Sequence, residues 1–309
     1  MTIAGYSIGD LASVLAMQGF AGLILFSVFT LMALGLAIIF GQMGVVNMAH
    51  GEFMAAGAYT TYLCCHLVQK FAPFLFGIYF FFAMALAFVV CGALGYATEV
   101  YMVRRLYKRP LDTLLATWGL SLVMQQCFRS LFGAREVGVS LPGWLMGSFN
   151  LTDTIQVPIN GLFVMTLTMA ITGAVFLLLF RSRWGCQMRA VTQNRPMSGA
   201  AGINTDRIDR YTFAFACGIA GIAGSAFTMI GSTSPTSGQL YIVDTFLVVV
   251  FGGAQSLLGT VASAFSISQV QSSLEFFLSG SMAKVITLLV VIGILMLRPQ
   301  GLFVLKVRR

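Results

Sequence analysis

Long runs of apolar residues dominate the chain and are separated by short polar or basic segments. Such runs predict α-helices that cross a lipid bilayer, because about 20 apolar residues span its hydrocarbon core. They lack the two-residue alternation of a membrane β-strand. We therefore predict an all-α, polytopic membrane helical bundle, a single transmembrane domain over residues 1–309 with about nine segments. These lie near residues 20–40, 44–65, 74–98, 111–132, 157–180, 211–231, 242–256, 258–278 and 281–297.

The pattern is least regular between residues 242 and 278. The first of the two apolar runs there is short, and Gly252, Gly253 and Gly259 interrupt the region. A re-entrant or broken helix would produce the same pattern and would change the number of crossings. Both arrangements stay open on the sequence alone.

Composition and charge agree with a membrane protein and suggest its orientation. Of 309 residues, 58% are hydrophobic and 9% are charged, and the mean hydropathy is +0.89. The net charge of +8 does not indicate nucleic-acid binding, because 14 of the 18 Lys and Arg residues fall in residues 104–109, 181–210 and 298–309. Basic segments between apolar runs mark the cytoplasmic side. Nine crossings then place the N-terminus outside and the C-terminus in the cytoplasm.

One apolar run contains polar groups that are expensive to bury in lipid. Residues 40–59 read FGQMGVVNMAHGEFMAAGAY, with Asn47, His50 and Glu52 close to Gly41, Gly44 and Gly51. The pattern predicts a break followed by a second helix, with Asn47 as its N-cap and His50 on its first turn. A helix N-terminus at membrane depth can donate N–H groups to a polar solute. The alternative is a tight turn in which His50 and Glu52 satisfy each other or face lipid headgroups.

Two later segments carry polar residues every three or four positions, which places each set on one helix face. The first set is Thr113, Thr117, Ser121 and Gln125, and the second is Ser268, Gln271, Ser272 and Glu275. Such stripes either bond to neighbouring helices or line a path for a polar solute. A mostly uncharged lining suits a neutral solute rich in N–H and C=O groups. We predict that the path is lined by Asn47, His50, Glu52, Thr117, Ser121, Gln125, Gln271 and Glu275.

The sequence shows no motif for catalysis or nucleotide binding. It has no Gly-Lys dipeptide and hence no P-loop, so any ATP would be hydrolysed by another chain. The HGE at His50 lacks the second His of an HExxH site, and the six cysteines lack zinc spacing. We expect no enzyme activity, metal or cofactor in this chain. Residues 181–210 would suit docking of an ATPase, with a short helix from Gln187 to Gln193 that Pro196 ends.

Four segments of the sequence are recognisable motifs. They are FGQMGVVNMAHGEFMAAGAY, RSRWGCQMRAVTQNRPMSGAAGIN, FGGAQSLLGTVASA and LRPQGLF. As a set they resemble the permease subunits of bacterial ABC importers of the branched-chain amino acid and urea type. The resemblance covers residues 22–303, and residues 110–137 and 232–253 look closer to the urea permeases.

The resemblance implies an ATP-driven importer in the bacterial inner membrane. Its other components would be a second homologous permease, two ABC ATPase subunits that bind ATP and Mg, and a periplasmic solute-binding protein. It also implies that residues 181–204 carry a coupling helix that contacts the ATPase. The coupling residues are expected to be Gln187, Arg189, Gln193, Asn194 and Arg195. Urea is the expected solute, and branched-chain amino acids or short amides are the alternative.

A passive channel for urea or ammonia is the alternative of another class. Small neutral solutes also pass through hydrophilic pores, and such a channel would give flux without ATP or a binding protein. The large basic segment at residues 181–210 argues against a channel, because a simple channel has no ATPase to bind.

Overall fold

The computed structural model describes residues 2–3, 6–107, 109–152, 155–253, 256–298 and 301. It begins with strands β1 (Thr2–Ile3) and β2 (Tyr6–Ser7), followed by helices α1 (Ile8–Met43), α2 (His50–Phe71) and α3 (Tyr79–Thr98). A π-helical stretch (Glu99–Val103) continues α3 into α4 (Arg104–Leu106). After it come α5 (Pro110–Phe132), β3 (Ser148–Thr152), β4 (Ile155–Pro158) and α6 (Ile159–Arg181). The remaining helices are α7 (Arg183–Gln193), α8 (Arg195–Ala200), α9 (Thr205–Phe227), α10 (Ser237–Gly252), α11 (Leu257–Phe277) and α12 (Gly280–Leu297).

The prediction of an all-α, polytopic membrane bundle is confirmed. Within the described residues nine helices have at least 16 residues, and each coincides with one predicted segment. Four stretches are long and apolar enough to cross a membrane: Ser13–Gly41, Tyr79–Leu106, Ile159–Arg181 and Gly280–Leu297. Of the other long helices, α10 has only 16 residues, and α5 and α11 carry the polar stripes seen in the sequence.

The irregular region between residues 242 and 278 forms two separate helices. Helix α10 ends at Gly252, and Gly253 adopts a left-handed φ of 91° that turns the chain. Ser256 then caps α11 by accepting a hydrogen bond from the Gly259 N–H at 3.0 Å. Residues 254 and 255 lie outside the described part. Helix α10 has 16 residues and is about 24 Å long, so it is short for a hydrocarbon core of about 30 Å.

Helix α9 lies at the centre of the bundle, where it packs against α1, α2 and α3. Its small residues Ala216, Ala220 and Gly224 recur every fourth position and are buried, which lets neighbouring helices approach closely. The crossing with α2 is a contact between backbones. A Cβ atom added to Gly224 would lie 1.9 Å from the Met54 carbonyl oxygen, and one added to Gly57 would lie 2.1 Å from the Gly221 carbonyl oxygen.

The segment between α5 and α6 is more ordered than a simple connecting loop. Strands β3 and β4 pair in an antiparallel hairpin. Trp144, just before the hairpin, donates its Nε1–H to the Gly77 carbonyl oxygen at 2.6 Å and packs parallel to Phe81. These contacts fix the segment against the start of α3.

Alanine at position 224 is expected to destabilise the bundle. Its Cβ would overlap the Met54 carbonyl oxygen, so α2 and α9 would have to separate, at about 3 kcal/mol. The control Gly173→Ala, in α6 with nothing within 4 Å of the added carbon, should be neutral or slightly stabilising. Heating the purified proteins and measuring the remaining monodisperse fraction by size-exclusion chromatography tests this. Equal midpoints for the two variants would contradict the backbone contact.

Candidate functional site

Helix α2 begins inside the bundle. The chain leaves α1 at Met43 and turns back through residues 44–49, helped by the left-handed φ of 64° at Gly44. The Nε2 atom of His50 then lies 3.2 Å from the Met32 carbonyl oxygen, and the ring packs over Gly35. Met32 precedes the end of α1 by about 16 Å at 1.5 Å per residue. The first N–H groups of α2 therefore lie at a depth where lipid offers no hydrogen-bond partners.

Asn47 is not the N-cap of α2, so that prediction is wrong by two residues. The helix begins at His50, with Ala49 in the N-cap position. Asn47 instead accepts a hydrogen bond through Oδ1 from the Ala49 N–H at 3.1 Å. The side chain reaches this nearer N–H because residues 48 and 49 form a turn before the helix begins. His50 lies on the first turn, as predicted.

Glu52 connects three helices through a buried carboxylate. Its side chain is 1% exposed, and Oε1 accepts hydrogen bonds from Ser121 Oγ at 3.1 Å and from Gln125 Nε2 at 2.9 Å. Gln125 Nε2 also lies 3.4 Å from Oε1 of Gln239 on α10. The alternative in which His50 and Glu52 satisfy each other is wrong, because His50 bonds to α1 and Glu52 bonds to α5.

Helix α5 faces the bundle with its polar stripe, as the four-residue spacing predicts. Thr113, Thr117, Ser121 and Gln125 are all buried. Thr117 Oγ1 accepts a hydrogen bond from the N–H of Met48 at 3.2 Å, just before α2. Hydrogen bonds therefore join α5 to the start of α2, and further along the Phe128 and Phe132 rings of α5 pack against Tyr59 of α2.

The first turns of α2 and α10 meet at two glycines. A Cβ atom on Gly51 would lie 2.1 Å from the Gly238 carbonyl oxygen, and one on Gly238 would lie 2.9 Å from the carboxyl carbon of Glu52. Two helix N-termini, each with partial positive charge, therefore lie close to the Glu52 carboxylate. This arrangement favours negative charge or an oxygen acceptor at this point.

Three polar atoms around the start of α2 have no hydrogen-bond partner within the described residues. They are Asn47 Nδ2, His50 Nδ1 and Glu52 Oε2, and all three are buried. Unpaired buried groups are rare, and each costs about 1–3 kcal/mol. A solute with its own donors and acceptors would satisfy them once the surrounding helices separate. We call Asn47, His50, Glu52, Ser121 and Gln125 the α2 cluster.

Gln271 and Glu275 lie at a different place from the α2 cluster. They line a cavity of about 350 Å³ and are joined by a hydrogen bond from Gln271 Nε2 to Glu275 Oε1 at 3.1 Å. Ser272, on the same stripe, also lines this cavity and donates a hydrogen bond to the Gln18 carbonyl oxygen of α1 at 2.7 Å. The stripe therefore faces the cavity and also joins α11 to α1.

The segment of residues 181–210 folds as a row of helices. Helix α7 begins at Arg183, before the predicted start at Gln187, because Ser182 Oγ caps it through the Gly185 N–H at 2.9 Å. Pro196 does not end α7 and instead lies in the first turn of α8, where proline is tolerated. The chain bends at Asn194, whose Oδ1 accepts a hydrogen bond from the Met197 N–H at 3.0 Å.

Both arginines proposed for ATPase coupling contact the bundle. Arg189 donates to the Leu179 carbonyl oxygen and lies over the Phe180 ring. Arg195 pairs with Asp209 on α9, with Nη2 and Oδ2 separated by 2.6 Å. These contacts attach α7 and α8 to α6 and α9.

The exposed surface of α7 and α8 includes the Arg195 side chain, 43% exposed, and several uncharged side chains. Gln187, Gln193 and Asn194 are exposed, together with Cys186 and Met197. Met197, 66% exposed, was not among the predicted residues. In the sequence, its position directly after a proline was the available indication that it lies in a first helical turn. We call these five residues the α7–α8 face.

Comparisons with known proteins agree with a transport function. The family model described as branched-chain amino acid transport system / permease component matches residues 19–296. The branched-chain amino acid permease LivH of Salmonella typhimurium is 26% identical over 294 residues, covering 92% of this chain and 94% of LivH. BraD of Pseudomonas aeruginosa is 25% identical over 290 residues, covering 91% and 93%. The fructose import permease FrcC of Rhizobium meliloti is 28% identical over 192 residues, covering 57% and 52%. No solved structure matches the chain.

Removing the Glu52 carboxylate is expected to loosen α5. The variant Glu52→Ala leaves Ser121 and Gln125 without their acceptor, a loss of about 1–2 kcal/mol for two hydrogen bonds between membrane helices. Amides of α5 should therefore exchange hydrogen for deuterium faster, with little change in α12. The matched control is Glu136→Ala, which removes a carboxylate from an exposed position. Unchanged exchange in α5 would show that packing alone holds this helix.

Proposed function

Because this chain belongs to the family of branched-chain amino acid transport system permease components, we propose that it is the permease subunit of an ATP-driven importer of a small polar solute. The observation that carries the proposal is the α2 cluster, a set of buried and partly unpaired polar groups within an apolar bundle. Groups of this kind at membrane depth usually mark a solute path. The relatives are named as transport permeases, so we assign the chain no catalysis of its own.

Branched-chain amino acids are the first candidate for the solute. LivH and BraD are named as permeases for branched-chain amino acids, and both match the chain over nearly its full length. FrcC is named for fructose, so similarity at this level is compatible with more than one solute. Urea is the second candidate, supported by the neutral donors of Ser121 and Gln125 beside Glu52 and by the resemblance of residues 110–137 and 232–253 to urea permeases.

The proposed transporter needs partners that supply energy and solute. We propose a second homologous permease, two ATPase subunits that hold ATP and Mg, and a periplasmic solute-binding protein. The chain would lie in the inner membrane with its N-terminus outside and its C-terminus in the cytoplasm. The basic residues at 181–210 support this orientation.

The coupling step follows from the contacts of α7 and α8. ATPase subunits that close on nucleotide would push on the α7–α8 face. The ion pair of Arg195 with Asp209 would pass this movement to α9, and the contact of Gly224 with Met54 would pass it from α9 to α2. Such a movement would open the α2 cluster to solute and close it again.

Uptake measurements test the solute and the energy source together. Cells that carry the complete transporter should accumulate labelled leucine, or else labelled urea, only while ATP is present. Cells that lack this chain and keep its partners should lose that uptake. Flux of either solute through the purified chain alone in liposomes would instead favour a passive channel.

An acidic residue on the α7–α8 face should uncouple transport. The variant Met197→Asp replaces an exposed apolar side chain with a charge, so we expect at least a tenfold loss of uptake with normal amounts of folded chain. The control Met146→Asp introduces the same charge at an exposed position between α5 and α6, where Met146 is 60% exposed. Cross-linking of the exposed Cys186 to the ATPase subunits should fall in Met197→Asp alone. Full uptake in Met197→Asp would contradict the proposed contact.

A further inference from the structure

A mixed polar and apolar cavity opens at the end of the bundle opposite α7 and α8. Helix α9 leads away from α8 and reaches this end at Phe227, close to where α10 and α12 begin and α11 ends. The cavity encloses about 350 Å³, within the roughly 300–1,000 Å³ typical of small-molecule sites. One wall is apolar and consists of Ala21, Ile24, Leu25, Val28, Phe227 and Ile230.

The opposite wall carries charges of both signs. Lys284 Nζ lies 3.3 Å from Asp244 Oδ2 and 5.1 Å from the centre of the Tyr241 ring. Glu275 adds a second carboxylate, which accepts a hydrogen bond from Gln271. Two carboxylates and one ammonium group leave an excess of negative charge beside a half-exposed lysine.

This combination is not explained by packing alone. The pair of Lys284 with Asp244 is already balanced, and Glu275 is an additional, exposed carboxylate in the last turn of α11. Glu275 has no cation of its own among the described residues, and its hydrogen bond to Gln271 leaves it able to accept further donors. The wall can therefore pair with a solute that has N–H donors at one end and an oxygen acceptor at the other.

We propose that this cavity is a receiving site for the transported solute, an inference that rests on the proposed function and specifies its chemistry. Glu275 would bind the solute's N–H groups and Lys284 its oxygen atoms. An amino acid offers an ammonium and a carboxylate group for these contacts, and urea offers amide N–H groups and a carbonyl oxygen. The six apolar residues favour the amino acid, because an aliphatic side chain would cover them and urea would leave most of the cavity empty.

A second cavity of about 500 Å³ does not fit this role. It lies between α3, α6 and α9, and its lining, which includes Phe88, Leu178 and Phe215, exposes almost only apolar atoms. Such a surface offers very few polar atoms to orient a charged or amide group, so it suits a lipid chain better than the solute.

The receiving site is tested by binding, separately from ATP-driven uptake. The full chain in lipid nanodiscs would be titrated with labelled leucine and, in a second arm, with labelled urea. Glu275→Gln and the double variant Asp244→Asn/Lys284→Met remove charges without leaving one unpaired. Each should weaken leucine binding about tenfold or more. Lys70→Met and Glu136→Gln remove charges elsewhere and should change nothing.

A separate variant tests the apolar wall of the cavity. Ala21→Trp would fill the cavity, so it should abolish leucine binding while the protein keeps its elution profile. Equal leucine affinity in the wild type and all cavity variants would overturn the proposal, even if ATP-driven uptake is found. Binding of urea without leucine, lowered by the charge variants, would support the polar wall and overturn the assignment to an amino acid. If the complete transporter shows no ATP-driven uptake while the chain still binds leucine, the proposed function is contradicted and the receiving site is still supported.

Discussion

The structure depends on satisfying a helix N-terminus that lies where no water is available. Helix α2 begins at His50, beside the middle of α1, and its first turn buries the His50 ring and the Glu52 carboxylate inside the bundle. In lipid these groups need protein partners. The partners come from three separate helices: the Met32 carbonyl oxygen on α1, Ser121 and Gln125 on α5, and the first turn of α10. Each of these helices is therefore positioned by the start of α2.

The glycines complete this arrangement, because polar groups can meet only if the helices approach closely. The backbones of α2 and α10 touch at Gly51 and Gly238, and those of α2 and α9 touch at Gly57 and Gly221. Backbone contacts of this kind transmit the displacement of one helix directly to the next, because no flexible side chain lies between them. The same contacts that bury Glu52 therefore connect it to α9 and, through Asp209 and Arg195, to α8.

Local periodicity predicted most of the helices and the polar face of α5, since both follow from residue spacing along one segment. It also placed Gln271 and Glu275 on one helix face. Spacing could not reveal that His50 bonds to a backbone oxygen of α1, or that Gln239 of α10 approaches Gln125. Those contacts join residues far apart in sequence. For the same reason spacing could not reveal that Arg189 bonds to the Leu179 carbonyl oxygen or that Arg195 pairs with Asp209. A basic residue in a basic segment gives no indication of its partner.

Helix α10 gives the two polar regions a common wall. Gln239, in its first turn, reaches the α2 cluster, and Asp244, little more than one turn later, pairs with Lys284 at the cavity. A movement of α9 that displaces α2 would also displace α10 through Gly51 and Gly238. The cavity and the α2 cluster would then change together, as expected when a solute passes from a receiving site to a buried one.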